Sequence, residues 1–270
     1  MFNSNQDYFK NTNHRITGIK KAVFQFLQAL AFIFTIMYPQ LLAVTFAWIL
    51  YKITSRYSLF LALLSCIPSV TIYFLLYCLS VSVFKWLLFG KLKPINIQLD
   101  SLLYIQKWIV DTMIFISLYF SRAIYATLYL PLWLRTIGAK VGKRAEVSTL
   151  NHLMTDLLEI GNQSFLADST SIGFSMIYLG TIYLKETQIG NRSFIGNIGV
   201  LLPGTKIGND CLIGVLSTSP NINDEEIKKS SWLGSLQIFL PNRQESPQFL
   251  SKFTFNPHVI CILQEARSSF

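Results

Sequence analysis

Three histidines occur in this chain of 270 residues: His14, His152 and His258. A neutral imidazole is well matched to taking up a proton near neutral pH, so each is a candidate base. His14 belongs to a polar leader and His258 to the tail. His152, in "STLNHLMTDLL", falls inside a repeated pattern, on a loop that interrupts it. Loops on rigid scaffolds are where function concentrates, which makes His152 the leading catalytic candidate, with a solvated loop histidine as the alternative. Asp156 and Asp168 are the carboxylate alternatives, with Glu159 beside them. Asp168, after "FLA", could equally satisfy backbone groups at a bend. In "NRSFIGN", Arg192 and Asn197 are candidates for substrate binding. A guanidinium forks onto phosphate or carboxylate, whereas an Asn at a bend often just holds a left-handed backbone. Phe194 reads as a core filler. The cysteines, Cys66, Cys78, Cys211 and Cys261, form no CxxC pair, so neither a disulfide framework nor a metal site is expected.

The pattern around His152 has a period of six. Ile189, Ile195, Leu201, Ile207 and Ile213 are spaced six apart, and glycine follows four of them. Val141 and Val147 share the spacing. Ile160, Leu166, Ile172, Tyr178 and Leu184 form a second run, after which the phase slips by one. Six is neither a helical nor a simple strand period. A short strand, a bend and another short strand produce it, with the aliphatic side chain inward and glycine tolerating the bend's backbone angles. Stacked coils then pair edge to edge about 4.8 Å apart, and no single hexad can bury its own face. The spacing predicts a parallel β-helix.

The elements that would hold this scaffold are unusually apolar. Hydrophobic residues make up 51% and charged residues 14% of the chain, against about 25% charged in ordinary domains. Residues 22–51 and 57–84 carry no charge. Each run exceeds the roughly 20 residues needed to cross the hydrocarbon core. Lys52 and Arg56 lie between them, and Pro39 and Pro68 near their middles predict kinks. Arg15, Lys20 and Lys21 before the pair, and Lys85, Lys91 and Lys93 after it, place both ends and everything downstream on the cytosolic side. In residues 104–134, Lys107, Asp111 and Arg122 fall within about 60° of one another on a helix. That narrow polar stripe predicts a helix lying in the membrane interface, or packed under a membrane domain, and ended by Pro131, with a third membrane span as the alternative. The net charge of +9 is not gathered into a basic stripe with interleaved aromatics, so nucleic acid is not an expected partner; membrane lipid is.

The chain thus divides into a polar basic leader (1–21), a transmembrane helical hairpin (22–90), an interfacial amphipathic helix with linker (91–135), a β-helix domain (136–243) and an apparently truncated C-terminal tail (244–270). "NINDEEIKKSS" (221–231) reads as a solvated loop within the β-helix domain.

Several longer blocks go beyond generic hexads: "YLPLWLRTIGAKVGKRAEVSTL", "DLLEIGNQSFLADS", "IGNRSFIGN", "LPGTKIGNDCLIGVLSTSP" and "SWLGSLQIFLPNRQ". The hexads resemble those of left-handed β-helix acyltransferases, the hexapeptide-repeat superfamily. The longer blocks resemble the membrane-bound C-terminal, condensation-like region of the Pls/PosA-type nonribosomal peptide synthetases, to which ε-poly-lysine synthetases belong. The resemblance implies an α+β protein, a transmembrane hairpin followed by a left-handed parallel β-helix, that forms an amide from an aminoacyl thioester and an amine. It implies no tightly bound cofactor. The acyl donor would hang from phosphopantetheine on a carrier domain, making carrier and adenylation domains the expected partners. Coenzyme A is the alternative donor, as for a free-standing hexapeptide acetyltransferase. A non-catalytic fragment or scaffold for assembly, with itself as a homo-oligomer or with a carrier-bearing partner, is the competing expectation. Where the family usually has proline after Gly-Ser at the β-helix exit, this chain has Leu236. The three metal histidines of a γ-type carbonic anhydrase are missing, and the apolar N-terminal third leaves no nucleotide loop of a sugar nucleotidyltransferase.

Overall fold

The structure, a computed structural model, describes residues 18–56, 59–120, 129–220 and 229–240. His14, Arg122, His258, Cys261, most of the 221–231 loop and the tail lie outside the described residues. The chain forms two units: residues up to 121 together with 175–184, and residues 122–174 together with 185 onward.

The first unit is built on three apolar helices, α1 (Ile19–Arg56), α2 (Leu59–Phe89) and α3 (Leu102–Phe120). All three are long and apolar enough to cross a membrane. Helix α1, at 38 residues, is about 57 Å long, well beyond the roughly 30 Å hydrocarbon core. Large apolar side chains such as Phe26, Met37, Leu41, Leu63 and Ile67 face outward, as expected where the surrounding solvent is lipid rather than water. Inside, aromatic edges pack: Phe34 and Tyr38 each meet Phe84 with ring centroids 5.5 Å apart. The Tyr73 hydroxyl donates to the Pro39 carbonyl at 3.1 Å. The Tyr77 hydroxyl reaches the Met113 carbonyl at 3.4 Å, pinning α2 to α3.

Of the polar stripe on α3, Lys107 is only 2% exposed, and its ammonium donates to Asp111, one turn along the same helix, whose side chain is 44% exposed. A buried ammonium needs such a partner, and losing it is far worse than never having the pair. Because the Asp111 carboxylate is half in the open and screened, Asp111→Asn is expected to cost about 1 kcal/mol, and adding Lys107→Met to recover most of that, read from SDS-unfolding midpoints in micelles.

Pro131 does not end a helix. It lies in the first turn of α4 (Tyr129–Thr136), where the missing N–H costs nothing. Leu130, Trp133 and Leu134 of α4 are buried. Arg135 of α4 donates to the carbonyls of Val141 and Gly142 at 3.1 and 2.9 Å.

The second unit is a three-sided parallel β-prism. Its first face stacks β2 (Lys140–Val141), β5 (Leu158–Ile160), β10 (Thr187–Ile189) and β13 (Lys206–Ile207). The second stacks β3 (Glu146–Val147), β6 (Phe165–Leu166), β11 (Phe194–Ile195), β14 (Leu212–Ile213) and β15 (Ser231–Leu233), with β16 (Ile238–Leu240) added antiparallel. The third stacks β4 (Leu150–Leu153), β7 (Thr170–Ile172) and β12 (Val200–Leu201). The chain visits the faces in rotation, so each residue meets its counterpart one coil on. Ile189 pairs with Ile207 and Ile195 with Ile213, three hexads later in each case. The periodic aliphatics Ile160, Leu166, Ile172, Ile189, Ile195, Leu201, Ile207 and Ile213 are all buried, each stabilising the core by about 1.5–3 kcal/mol.

The second run of hexads breaks after Ile172. Residues 175–184 leave the coil, so Tyr178 is no core position. They form a hairpin, β8 (Met176–Tyr178) and β9 (Thr181–Tyr183), whose β9 pairs antiparallel with β1 (Asn96–Gln98) in the first unit. Leu184 is buried, but beside β1, its N–H bonded to the Ile95 carbonyl.

The corner glycines work differently from the sequence expectation. The left-handed backbone falls two residues after them, at Arg144, Gln163, Arg192 and Asp210 on the edge between the first and second faces. Gly161 and Gly190 are needed because successive coils touch there. A Cβ on Gly190 would lie 2.4 Å from the Gly208 backbone, and one on Gly161 2.5 Å from Gly190. The following asparagines form a ladder at the same corner. Asn162, Asn191 and Asn209 each accept, through Oδ1, the N–H of the preceding coil's corner residue at 2.7 Å.

Candidate active face

Strands alternate, so each face of the prism shows outward what its core row does not use. The first face presents Lys140, Glu159, Gln188 and Lys206, with Lys140 and Glu159 paired at 3.1 Å. The second presents Glu146, Phe165, Phe194 and Leu212. Phe194 is thus not a core filler: it stacks on Phe165 outside the prism, centroids 5.4 Å apart. Beside the inward aliphatics Leu166, Ile195 and Ile213, a second buried row of that face is made of small residues. The Ser164 and Ser193 hydroxyls donate to the Gly190 and Gly208 carbonyls at 2.6 and 2.8 Å, and Cys211 is fully buried beside them.

The third face presents His152, Ser171, Val200 and, by an isolated bridge to Val200, Thr218. His152 is on strand β4 rather than on a loop, and it is exposed. Its placement follows from chain count. The corner before β4 has two residues, Ser148 and Thr149, where the next coil has three, Ala167 to Ser169. Strand β4 restores the register by an extra residue: Leu150 pairs with Thr170, but His152, not Asn151, pairs with Ser171. Such irregularities re-aim side chains and recur beside active sites. Asn151 is held by its amide donating to the Ser169 carbonyl at 3.1 Å. Neighbouring strands lie about 4.8 Å apart, so the imidazole and the Ser171 hydroxyl share one open surface. Thr218 accepts from Gln237 at 2.9 Å and donates to the Ser235 carbonyl at 3.1 Å.

The other candidates lie elsewhere. Asp156 is half-buried on a single 3-10 turn, Thr155–Leu157, directly after β4. Asp168 sits at the edge between the second and third faces. Its carboxylate accepts from the Ser148 and Thr149 hydroxyls, the latter at 3.3 Å, and its N–H donates to Asn197 Oδ1 at 3.1 Å. Asp168 and Asn197 are therefore neighbours in a corner network. Arg192 is on the opposite edge of the second face. Its fork grips Asp210 one coil on, Nε and Nη2 each 2.7 Å from a carboxylate oxygen. That hydrogen bond and charge hold the guanidinium still further in its cationic form. The pair is exposed, so a double-mutant cycle on Arg192→Ala and Asp210→Ala should return a coupling of at most about 1 kcal/mol, screened by salt.

Ser171 is a neighbour that residue type alone did not single out; the aliphatic register that sets Val147 against Leu166 and Leu153 against Ile172 also sets His152 against Ser171. Among the described residues, no group of three His, Cys, Asp or Glu side chains could hold a metal ion.

No protein-family model matches the chain. It is 38% identical over 156 residues to the delta-poly-L-ornithine synthetase of Acinetobacter baumannii (strain AB307-0294). That match covers 58% of this chain and 12% of the synthetase, so the chain spans about an eighth of that relative's length. Solved structures with similarity include a maltose O-acetyltransferase from Clostridium difficile 630, at 16% identity, covering 56% of this chain and 94% of that one, with a TM-score of 0.40. A hexapeptide-repeat acetyltransferase from Vibrio cholerae gives 14% identity, 48% and 93% coverage and a TM-score of 0.35. Soybean serine acetyltransferase gives 14%, 83% and 100%, and 0.31. The strand ladders, not these scores, define the fold.

Proposed function

We propose that this chain is a membrane-anchored acyl-transfer module that joins an activated amino acid to an amine, its prism a left-handed β-helix. The observation that carries the reading is the 38% identity over 156 residues to a delta-poly-L-ornithine synthetase, a polymer whose synthesis requires amide formation. His152 supports it as the one described histidine, exposed on an open face beside a hydroxyl. In the proposed step the amine nitrogen attacks the thioester carbonyl carbon; the C–N bond forms and the C–S bond breaks. The amine proton passes to His152, which returns it to the departing thiolate. Ser171 orients the imidazole. Asp168 and Asn197 hold the neighbouring corner, and Arg192 the far edge, as positioning residues. The donor thioester is carried by phosphopantetheine on a separate carrier.

We further propose that the prism faces the cytosol. The basic residues flanking α1 and α2, Lys20 and Lys21 before and Lys85, Lys91 and Lys93 after, support this.

The test supplies purified full-length chain in nanodiscs with a labelled ornithyl carrier protein, or ornithyl coenzyme A, and free ornithine as acceptor. Labelled amide from the carrier thioester supports the reading. Amide from coenzyme A alone replaces the carrier by the soluble donor. No amide from either thioester, with the chain folded, leaves a scaffold.

A further inference from the structure

The edge between the second and third faces carries side chains that its backbone does not favour. At both edges of the second face, one residue per coil adopts the left-handed conformation so that its N–H can reach the preceding coil. Arg192 donates to Asn162 and Asp210 to Asn191 on one edge; Ile198 donates to Asp168 and Leu216 to Asn197 on the other. The first edge fills these positions with Arg144, Gln163, Arg192, Asp210 and Lys229. The second places Ser169 there on one coil, then Ile198 at φ 58° and Leu216 at φ 54° on the next two. A β-branched side chain in that region is strained, and Asn or Gly would fit with less cost. Both are also in the open, Ile198 50% and Leu216 63% exposed. Leu236, where a proline is usual in the resembling family, is 87% exposed on the last turn. The hairpin turn of the helical unit repeats the choice, with Leu179 at φ 46° where such turns favour Asn.

We infer that this edge, from Ile198 through Leu216 to Leu236, inserts into the headgroup boundary of an anionic bilayer. It is convex, so its side chains fan outward; a fluid lipid boundary accepts them, whereas a protein partner needs a matching groove. The apolar strip continues onto the second face through Phe194 and Leu212. The far edge of that face carries Lys143, Arg144 and Lys229, positive groups placed to meet headgroup phosphates. The three long apolar helices keep a bilayer permanently at hand. The inference does not depend on the proposed chemistry.

The test uses the full chain, with its cysteines intact, carrying a genetically encoded environment-sensitive fluorescent residue at position 198, 216 or, as control, 206 on the polar first face. Proteins are placed singly in nanodiscs with or without phosphatidylglycerol, and nitroxide-labelled lipid serves as quencher. The expected result is blue-shifted emission and strong lipid quenching at 198 and 216, increased by phosphatidylglycerol, with neither effect at 206. Lys143→Glu together with Lys229→Glu should abolish the phosphatidylglycerol dependence. Equal quenching at 206 and 216, or none at either edge position, overturns the inference. So does a blue shift without lipid quenching that appears only with two copies per disc, which would assign the edge to self-association.

Discussion

Gly190→Ala is expected to destroy the cooperative unfolding of the β-prism. The added methyl carbon would sit 2.4 Å from both the carbonyl carbon and oxygen of Gly208, inside any van der Waals contact. Neither atom belongs to a flexible side chain, so the coils themselves must separate. Their separation is fixed by hydrogen bonds on both sides of the corner. The Gly190 N–H donates to the Ile207 carbonyl at 2.8 Å and the Asn191 N–H to Asn209 Oδ1 at 2.7 Å. Relief therefore breaks ladder bonds, and one glycine sits above another, so the distortion spreads to Gly161. The loss should reach about 3 kcal/mol or more. Circular dichroism of the purified protein in detergent, followed through heating, measures it. The contrast is Gly180→Asn: Gly180 has φ 75°, and a Cβ there would meet nothing within 4 Å, while Asn accepts that backbone. Its expected change is under about 1 kcal/mol.

Much of the prism is legible in the sequence because each hexad aliphatic has a single destination. Ile189, Ile195 and Leu201 point inward from three successive faces, so a period of six emerges directly. Glycine was legible as a requirement, but for the wrong cause. Its role at Gly161 and Gly190 is the approach of another coil, and a local bend analysis does not contain the second chain segment. The hairpin at 175–184 was not legible, because it is stabilised by pairing with Asn96–Gln98, far away in sequence, while Tyr178 and Leu184 happen to keep the beat. Phe194 misled in the same way. An aromatic residue beside Ile195 looks like core, yet alternation sends one of the two outside, and Ile195 holds the inward place. Lys107 and Asp111 were legible as neighbours on one side of α3, but the burial of Lys107 depends on packing against α1 and α2. His152 was singled out by residue type, and what the structure adds is its place, exposed on strand β4 rather than on a loop. Its neighbour Ser171 follows only once the aliphatics of successive coils are set in register, Val147 on Leu166 and Leu153 on Ile172.

His152→Ala is expected to reduce amide formation by about 10²–10⁴-fold, the range for removing a positioned base. An amine attacking a thioester must shed a proton as the C–N bond forms. Without a base on the open face, that proton leaves only to water. The imidazole is exposed on the third face and belongs to no core row, so truncation should change stability by less than about 0.5 kcal/mol. The loss would then be chemical rather than structural. Ser171→Ala should produce a smaller fall, since in the proposed step the hydroxyl beside the base does not itself take the proton. It should also shift the pH at which the rate is half-maximal, which a merely structural serine would not do.

The most direct measurement of the central claim is the single-turnover rate of labelled ornithyl transfer from a loaded carrier to free ornithine. It compares the native chain with His152→Ala in nanodiscs, with equal melting confirmed beforehand. The account predicts rapid amide formation by the native chain and a rate at least about 100-fold lower for the variant. Equal rates from the two proteins would contradict it and remove His152, and with it the third face, from the chemistry.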